Sequence, residues 1–182
     1  MKRVICLFFL MIPFLQFYLS ATSVLVETES FEKKGGWVVD QQFIHTMGSP
    51  YLLAHGMGEP VENASTTVKF PAKGNYHFWV RTKNWISDSK YAPGIFMFII
   101  NGKDQNKVFG NNGSEWQWVY GGKVYLKECL VKLELKDLTG FEGRCDAIYF
   151  STDNKDSPPE KLEQMTLWRY CRYKESSAIV NF

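Results

Sequence analysis

Short apolar runs separated by turn residues recur along most of this chain. Residues Cys129–Leu135 alternate between apolar and charged side chains, as in a strand with one buried face. Ile95–Ile100 is apolar throughout, as in a strand buried on both faces, and the following Asn101-Gly102 is a strong hairpin signal. About ten such strands, with turn signals every 8–12 residues, predict an all-β fold, a jelly-roll β-sandwich.

The two ends of the chain depart from this pattern. Residues 1–23 combine Lys2 and Arg3, an apolar run to Leu19 and small residues at the end, which predicts a secretory signal peptide. A retained N-terminal anchor is the alternative. We assign residues 24–152 to the sandwich, expect a secreted or periplasmic protein, and interpret residues 153–182 as a linker, a short helix and a disordered end.

Charge and motifs argue against several classes of function. The chain has 21 Lys+Arg and 19 Asp+Glu, and the signal peptide removes two cations and no acids, so the remainder is neutral. A neutral domain with interspersed charges gives no reason to expect binding to nucleic acid or to an anionic membrane. No P-loop, nucleophile elbow or dinucleotide fingerprint follows a strand, so we expect neither catalysis nor FAD binding.

Three cysteines follow the signal peptide, an odd number for a chain exported to an oxidising space. Two interpretations are open. Either one disulfide joins Cys129 to Cys145 and leaves Cys171 free, or all three are small buried hydrophobic residues.

The stretch Tyr76–Trp85 contains the first candidate ligand-binding residues. Alternate side chains of a strand point to opposite faces. The core face then holds Tyr76, Phe78, Val80 and Thr82, and the other face holds His77, Trp79 and Arg81. An indole beside a guanidinium suits a sugar ring, which has flat apolar faces and a polar rim. The alternative is that Trp79 packs on a second layer while Arg81 supports a loop.

Aromatic residues in or beside loops extend this hypothesis. Exposure of apolar rings to water is unfavourable by about 25 cal/mol per Å², so exposed rings indicate ligand contacts. His55 lies next to a glycine in a predicted loop and could add a hydrogen bond, although a single histidine is more often structural. The candidate residues for binding a polysaccharide or oligosaccharide are Trp85, Trp116, Trp118, Arg81, Tyr91 and His55.

Three carboxylates are candidate ligands for a structural Ca²⁺ ion. Glu27 and Glu29 are two residues apart in the first predicted strand and would point the same way. Asp146 precedes the last strand, and the first and last strands of a jelly roll can lie side by side. Three hard oxygen donors would suit Ca²⁺, whereas the alternative is a set of solvated carboxylates at a sheet edge.

Five motifs together match a known family pattern: Val26–Phe31, Gly35–Asp40, Gly48–Gly56, Trp79–Trp85 and Asp137–Ile148. They resemble the sandwich domain that accompanies secreted bacterial FAD-dependent oxidoreductases of polysaccharide-degrading bacteria, over residues 24 to about 168. In that family a flavin-binding domain is joined to the sandwich, and its fingerprint is absent here. The resemblance implies, as an alternative function, a truncated accessory part of such an oxidoreductase.

The sandwich also resembles, more distantly, carbohydrate-binding modules of families six and thirty-five. In those modules a Glu-x-Glu in the first strand and an Asp in the last strand bind a structural Ca²⁺, which corresponds here to Glu27, Glu29 and Asp146. The resemblance implies an exported, non-catalytic domain that recognises a glycan through loop aromatics. A polysaccharide lyase or hydrolase that uses His55, Arg81 and Tyr91 is a weaker alternative.

Overall fold

Ten strands form two antiparallel sheets in the part of the chain that the structure, a computed structural model, describes: residues 21–86, 91–160 and 163–165. The first 20 residues of the predicted signal peptide lie outside these ranges. Among the described residues, no helix is both long and apolar enough to cross a membrane. The strands are β1 (Ser23–Glu27), β2 (Trp37–Asp40), β3 (Tyr51–His55), β4 (Ala64–Lys69), β5 (Gly74–Lys83), β6 (Phe96–Ile100), β7 (Lys103–Phe109), β8 (Gln117–Leu126), β9 (Leu130–Asp137) and β10 (Phe141–Ser151).

The strand order confirms the predicted β-sandwich. Sheet A has the order β2-β3-β10-β5-β8, and β1 pairs with the C-terminal half of β10. Sheet B has the order β4-β9-β6-β7. The first and last strands therefore lie side by side, with Glu27 opposite Ala147. A short α-helix, α1 (Ile44–Met47), and a 3₁₀ turn at Thr28–Ser30 are the helical elements with defined bounds in the described part.

An apolar core fills the space between the sheets. The inward face of β5 matches the sequence pattern, because Tyr76, Phe78, Val80 and Thr82 are all buried. Strand β6 differs from its prediction as a strand buried on both faces. Its alternate residues Met97 and Ile99 are only half-buried. Their neighbours Phe96, Phe98 and Ile100 point into the core and are fully buried, so β6 has one core face and one outer face.

The outer face of sheet A is covered in part by the chain after β10. Pro158 and Pro159 are buried, and the Trp118 indole donates a hydrogen bond from Nε1 to the Pro159 carbonyl (2.9 Å). The Tyr149 hydroxyl donates to Asp156 Oδ2 (2.6 Å). The segment Asp153–Pro159, interpreted from sequence as a linker, therefore packs on the sandwich. Residues 163–165 are helical, and residues 166–182 lie outside the described part.

Asp156 links the docking of this segment to pH. Burial raises the pKa of its carboxyl group, but hydrogen bonds from Tyr149, Ser151 and Ser23 lower it by more, so the net pKa lies below its ordinary value. A lowered folded-state pKa stabilises the fold above the unfolded-state pKa of about 3.9. This contribution is lost as the pH falls through the folded-state pKa.

We expect Asp156→Asn to lower the free energy of unfolding by about 1 kcal/mol at neutral pH, because the amide accepts these hydrogen bonds less strongly. The variant should also lose part of the acid dependence of stability, as measured by urea unfolding between neutral and acidic pH. The control is Asp153→Asn, since the Asp153 carboxylate accepts a local bond from the Lys155 amide (2.8 Å). A pH profile identical to that of the parent protein would contradict this role.

The predicted disulfide between Cys129 and Cys145 is wrong, because both thiols are free. Cys145 is buried in β10, opposite Thr82 near the end of β5. Cys129 lies in the turn between β8 and β9, where its carbonyl accepts a hydrogen bond from the Phe70 amide (2.7 Å). The two cysteines are therefore at opposite ends of the sandwich. Cys171 lies outside the described residues.

Candidate functional site

A cavity of about 400 Å³ opens at one end of the sandwich. This size is within the range of small-molecule sites, about 300–1,000 Å³. Trp85 and Phe141 contribute rings that are 43% and 48% exposed. Two large aromatic rings that face solvent around one hollow are unusual without a ligand, because their exposure to water is unfavourable. The lining residues are His55, Met57, Trp85, Gly140, Phe141 and Glu142, and we refer to them as the rim pocket.

The polar groups of the rim pocket are His55 and Glu142. Glu142 Oε1 lies 3.5 Å from His55 Nδ1, and its Oε2 lies 3.0 Å from Nη2 of Arg144. Arg144 Nη1 also donates to the Glu142 carbonyl (3.0 Å). The arginine therefore fixes the carboxylate at the wall of the pocket and balances its charge. A carboxylate held in this way can accept hydrogen bonds from ligand hydroxyl groups.

Asp137 holds together the loops that form the rim pocket. Asp137 is 2% exposed, and its carboxylate accepts hydrogen bonds from the amides of Val61 (3.0 Å), Gly140 (2.9 Å) and Thr139 (3.2 Å). Asp137 is not among the binding residues predicted from the sequence. A recognisable turn pattern was nevertheless present, because Asp137 ends a strand and Gly140 follows three residues later. An aspartate in this position can accept hydrogen bonds from the backbone amides that follow it.

Close backbone contacts complete this support. A Cβ atom on Gly140 would lie 2.1 Å from the Glu59 carbonyl oxygen, and one on Gly94 would lie 2.6 Å from the Phe141 carbonyl oxygen. Gly140 also has a φ of +70°, which is in the left-handed region that favours glycine. The Gly140 carbonyl accepts a hydrogen bond from the Gly56 amide (3.0 Å). The two glycines therefore allow three loops to meet at the pocket.

Backbone strain is concentrated at the rim pocket. Met57 and Glu142 have φ values of +53° and +57°, although neither is glycine or asparagine. The strand β10 also has a register shift between Phe141 and Gly143, which directs the Glu142 side chain away from the regular ladder. Strained conformations of this kind cost about 1–3 kcal/mol each and cluster at functional sites. This clustering supports the assignment of the pocket as a site.

We expect Met57→Gly to raise the free energy of unfolding by about 0.5–1 kcal/mol, because glycine adopts the left-handed conformation without strain. The greater flexibility of glycine in the unfolded chain offsets part of this stabilisation. Loss of the thioether should also weaken ligand binding at the pocket. Thermal unfolding and binding measurements on the same variant check both effects. The control is Asn101→Gly, since Asn101 has a similar φ of +49° but lies in the β6–β7 hairpin and is of a type that tolerates it. A melting temperature of Met57→Gly below that of the parent protein would contradict the claim that Met57 is held in a strained conformation.

The structure brings two of the predicted binding residues together, His55 and Trp85. Tyr91 is exposed, and its carbonyl accepts a hydrogen bond from Asn84 Nδ2 (2.8 Å), but its side chain does not line the rim pocket. Trp116 packs on the Tyr51 ring at a centroid distance of 5.0 Å. Tyr91 and Trp116 are therefore not part of the pocket wall.

Arg81 and Trp118 lie elsewhere, on the outer face of sheet A under the C-terminal segment. Arg81 is 7% exposed, and its Nη1 is 3.1 Å from Asp146 Oδ2 and also contacts the sulfur of Met165. A buried cation requires such a partner, because desolvation without one is costly. Trp118 is bound to Pro159. Neither residue shares a hollow with Trp85, and the predicted pairing of indole and guanidinium around one ligand is not formed.

The three candidate Ca²⁺ ligands lie where β1 ends beside β10, with Glu27 opposite Ala147, the neighbour of Asp146. The expectation that Glu27 and Glu29 share a strand face is wrong, because β1 ends at Glu27 and Thr28–Ser30 form a 3₁₀ turn. Asp146 accepts hydrogen bonds from Ser49 (3.2 Å) and Arg81. Among the described residues, no three His, Cys, Asp or Glu side chains are grouped to hold a metal ion. Ca²⁺ binding stays a prediction, and thermal unfolding in Ca²⁺ against a chelator tests it.

Two of these carboxylates lie within electrostatic range of the buried Cys145 thiol. Burial raises the pKa of the Cys145 thiol well above its usual value, and the negative charges of Asp146 and Glu29 act in the same direction. The thiol is therefore protonated and unreactive at neutral pH. Cys145 is a core residue and not a nucleophile.

Comparisons with known proteins identify the fold. No protein-family model and no curated protein matches this sequence. Among solved structures, a family 35 carbohydrate-binding module from Clostridium thermocellum has a TM-score of 0.56 at 13% identity over 71% of this chain and 97% of its own. The CBM36-1 domain of a multidomain xylanase from the hindgut metagenome of Trinervitermes trinervoides has a TM-score of 0.54 at 18% identity, over 72% and 98%.

A third similar structure is the GH26-CBM35 β-(1,4)-mannanase of Podospora anserina, with a TM-score of 0.56 at 19% identity. The match covers 76% of this chain but only 29% of the mannanase chain. The resemblance to carbohydrate-binding modules is thus confirmed for the fold. The association with flavin-dependent oxidoreductases is not tested by these structures and stays a prediction. This chain has the β-sandwich fold of carbohydrate-binding modules of families 35 and 36.

Proposed function

We propose that this chain is an exported, non-catalytic domain that binds a polysaccharide or oligosaccharide at the rim pocket. The observation that carries the proposal is the convergence of two half-exposed rings, Trp85 and Phe141, on one hollow that also contains a fixed carboxylate. This combination matches the chemistry of a sugar ring, which presents C–H groups on its faces and hydroxyl groups around its edge.

In this proposal the aromatic rings supply most of the affinity and the polar groups supply orientation. Contact of a sugar face with Trp85 or Phe141 removes apolar surface from water on both sides. Glu142 accepts a hydrogen bond from a sugar hydroxyl, while Arg144 holds its carboxylate in place. His55 can donate or accept at the same wall, and its position is set by the 3.5 Å contact with Glu142.

Two further observations support a carbohydrate ligand. Structures with this fold include modules within a mannanase and a xylanase, whose names refer to polysaccharide substrates. Export, inferred from residues 1–23, would bring the domain to the space where polysaccharides are found.

Affinity electrophoresis tests the proposal directly. We expect the purified protein to be retarded in gels that contain at least one soluble polysaccharide from a panel of mannan, xylan, glucan and pectin, and to bind matching glycans on an array. Absence of binding to every glycan would contradict the proposed function. Release of oligosaccharides during incubation with the panel would contradict the non-catalytic role and favour the lyase or hydrolase alternative.

A further inference from the structure

The outer face of sheet A carries acidic side chains where β1 lies beside β10. Glu27 on β1 is opposite Ala147 on β10, and Ala147 is opposite Arg81 on β5, so the three side chains form one row on the same face. Asp146 precedes Ala147, and its Oδ2 lies 3.1 Å from Arg81 Nη1. Glu29 follows in the 3₁₀ turn after β1. We call Glu27, Glu29 and Asp146 the acidic group.

Water has little access to the acidic group. Asp146 is fully buried, and the Oε2 atoms of Glu27 and Glu29 are shielded from solvent. Thr28 lies between the two glutamates, and its hydroxyl donates to the Asp146 carbonyl (2.9 Å), which connects the 3₁₀ turn to β10. The group has three carboxylates, whereas Arg81 supplies one positive charge. Further positive charge beside these carboxylates would stabilise the fold, because buried charges require opposite charges close by.

The chain after β10 crosses the outer face toward the acidic group. The Pro159 carbonyl is bonded to Trp118 on β8, and the Met165 sulfur contacts Nη1 of Arg81 on β5 (2.6 Å). Met165 is fully buried in this position. From β8 to β5 the chain moves toward β10 and β1, which are the next strands in the sheet. The residues after Met165 therefore start within two strand spacings, about 10 Å, of Glu27.

The sequence that follows has the complementary charge and spacing. Residues 163–165 are helical, and Arg169 and Arg172 follow Met165 by four and seven residues. At about 3.6 residues per turn, a continued helix places both arginines on the face of Met165 and places Lys174 on the opposite face. With a rise of about 1.5 Å per residue, Arg169 and Arg172 would lie about 6 and 10 Å beyond Met165, which covers the distance to Glu27.

We propose that residues 166–173 continue this helix across the outer face of sheet A, and that Arg169 and Arg172 form ion pairs with the acidic group. Together with Arg81, they bring three guanidinium groups to three carboxylates. Guanidinium groups suit this place because they can bind carboxylates through two parallel hydrogen bonds. The folded domain then extends to about residue 173, and the two arginines replace a metal ion as the counter-charge of the carboxylates. This inference is independent of the ligand of the rim pocket.

Melting temperatures of full-chain variants test the ion pairs. Arg169→Met and Arg172→Met each remove one positive charge, and we expect each to lower the melting temperature by about 3–5 °C because buried carboxylates lose their partner. The matched control is Lys174→Met, which removes one positive charge from the opposite helix face and should change the melting temperature by less than about 1 °C. Equal shifts in the arginine variants and in Lys174→Met would overturn the proposal.

A second set of variants separates the ion pairs from a general loss of packing. Glu27→Gln combined with Glu29→Gln removes two of the charges that the arginines would balance. In this background, Arg169→Met and Arg172→Met should lower the melting temperature by less than half as much as in the parent protein, because interacting residues are not additive. Shifts as large as those in the parent protein would show that the arginines do not act through the glutamates.

Trypsin digestion of the folded parent protein, followed by mass spectrometry, tests the docked helix without any substitution. We expect cleavage after Arg169 and Arg172 to be at least tenfold slower than cleavage after Lys174, because a packed segment must open before it is cut. Equally rapid cleavage at the three positions would overturn the docked helix.

Addition of Ca²⁺ distinguishes the arginines from the metal ion predicted for the same carboxylates. Because the arginines already balance the charge, we expect the parent protein to have the same melting temperature in Ca²⁺ and in a chelator. A higher melting temperature in Ca²⁺ would assign the acidic group to a metal site and would overturn this inference.

Discussion

Trp85→Ala is expected to weaken binding of the glycan ligand by about 30-fold or more, which corresponds to about 2 kcal/mol. The reason is that Trp85 offers one of the two rings of the rim pocket, so the variant removes the stacking surface and its apolar contact. Because the ring is 43% exposed, its removal should change the free energy of unfolding by less than about 1 kcal/mol. Isothermal titration with the glycan selected on the array measures the loss, and thermal unfolding measures the stability.

A matched control is available on the same sheet. Tyr125 is also an exposed aromatic residue, but it lies opposite Asn75 at the start of β5, whereas Trp85 follows the end of that strand. Tyr125→Ala should therefore leave the affinity within about twofold of the parent value, as for surface substitutions away from a site. Trp85→Phe should keep part of the binding. Full affinity in Trp85→Ala would contradict the rim pocket as the carbohydrate site.

Asp137→Ala is expected to lower the free energy of unfolding by about 3 kcal/mol, because three backbone amides lose a charged acceptor within the structure. For a domain of this size, such a change lowers the melting temperature by about 10 °C. The amides of Val61 and Gly140 belong to two loops that meet at the rim pocket. The variant should consequently lose glycan affinity even at temperatures where it is fully folded, as shown by circular dichroism and titration together.

The control for this prediction is Asp104→Ala near the start of β7. Its carboxylate accepts one backbone hydrogen bond, from Asn106 (2.8 Å), and lies in the β6–β7 hairpin. We expect a loss of about 0.5–1 kcal/mol and unchanged binding. Equal destabilisation by the two variants, or a stable Asp137→Ala protein with full affinity, would show that Asp137 does not position the loops.

The strand pattern was predictable because it depends on neighbouring residues. Buried Tyr76, Phe78 and Val80 recur with the period of two that a strand imposes, and the structure confirms them as core residues. The same alternation predicted that the first strand extends to Glu29, but β1 ends two residues earlier, at Glu27. A 3₁₀ turn begins at Thr28, and the hydroxyl of Thr28 is bonded to the carbonyls of Cys145 and Asp146 (2.5 and 2.9 Å). Contacts across the sheet decided the end of the strand.

The candidate site was predictable only in part. Trp85 and His55 were identified because aromatic and polar residues on loops are typical of binding sites, and they do lie together. Arg81 was misplaced because the pattern of β5 shows which face it occupies but not that the segment after β10 covers that face. The pocket positions of Phe141 and Glu142 were not predictable, because a bulge and a left-handed backbone conformation direct these side chains into the pocket.

The sequence by itself determined that this chain forms a β-sandwich, because hydrophobic alternation and turn residues act over a few positions and are visible without any partner. Only the tertiary structure decided which side chains share a pocket. His55, Trp85 and Glu142 are about 30 to 90 positions apart, and they meet because β3, β10 and β5 are adjacent in sheet A. The same strand order places Lys83 opposite Arg144, and no local pattern records a contact between residues so distant in the chain.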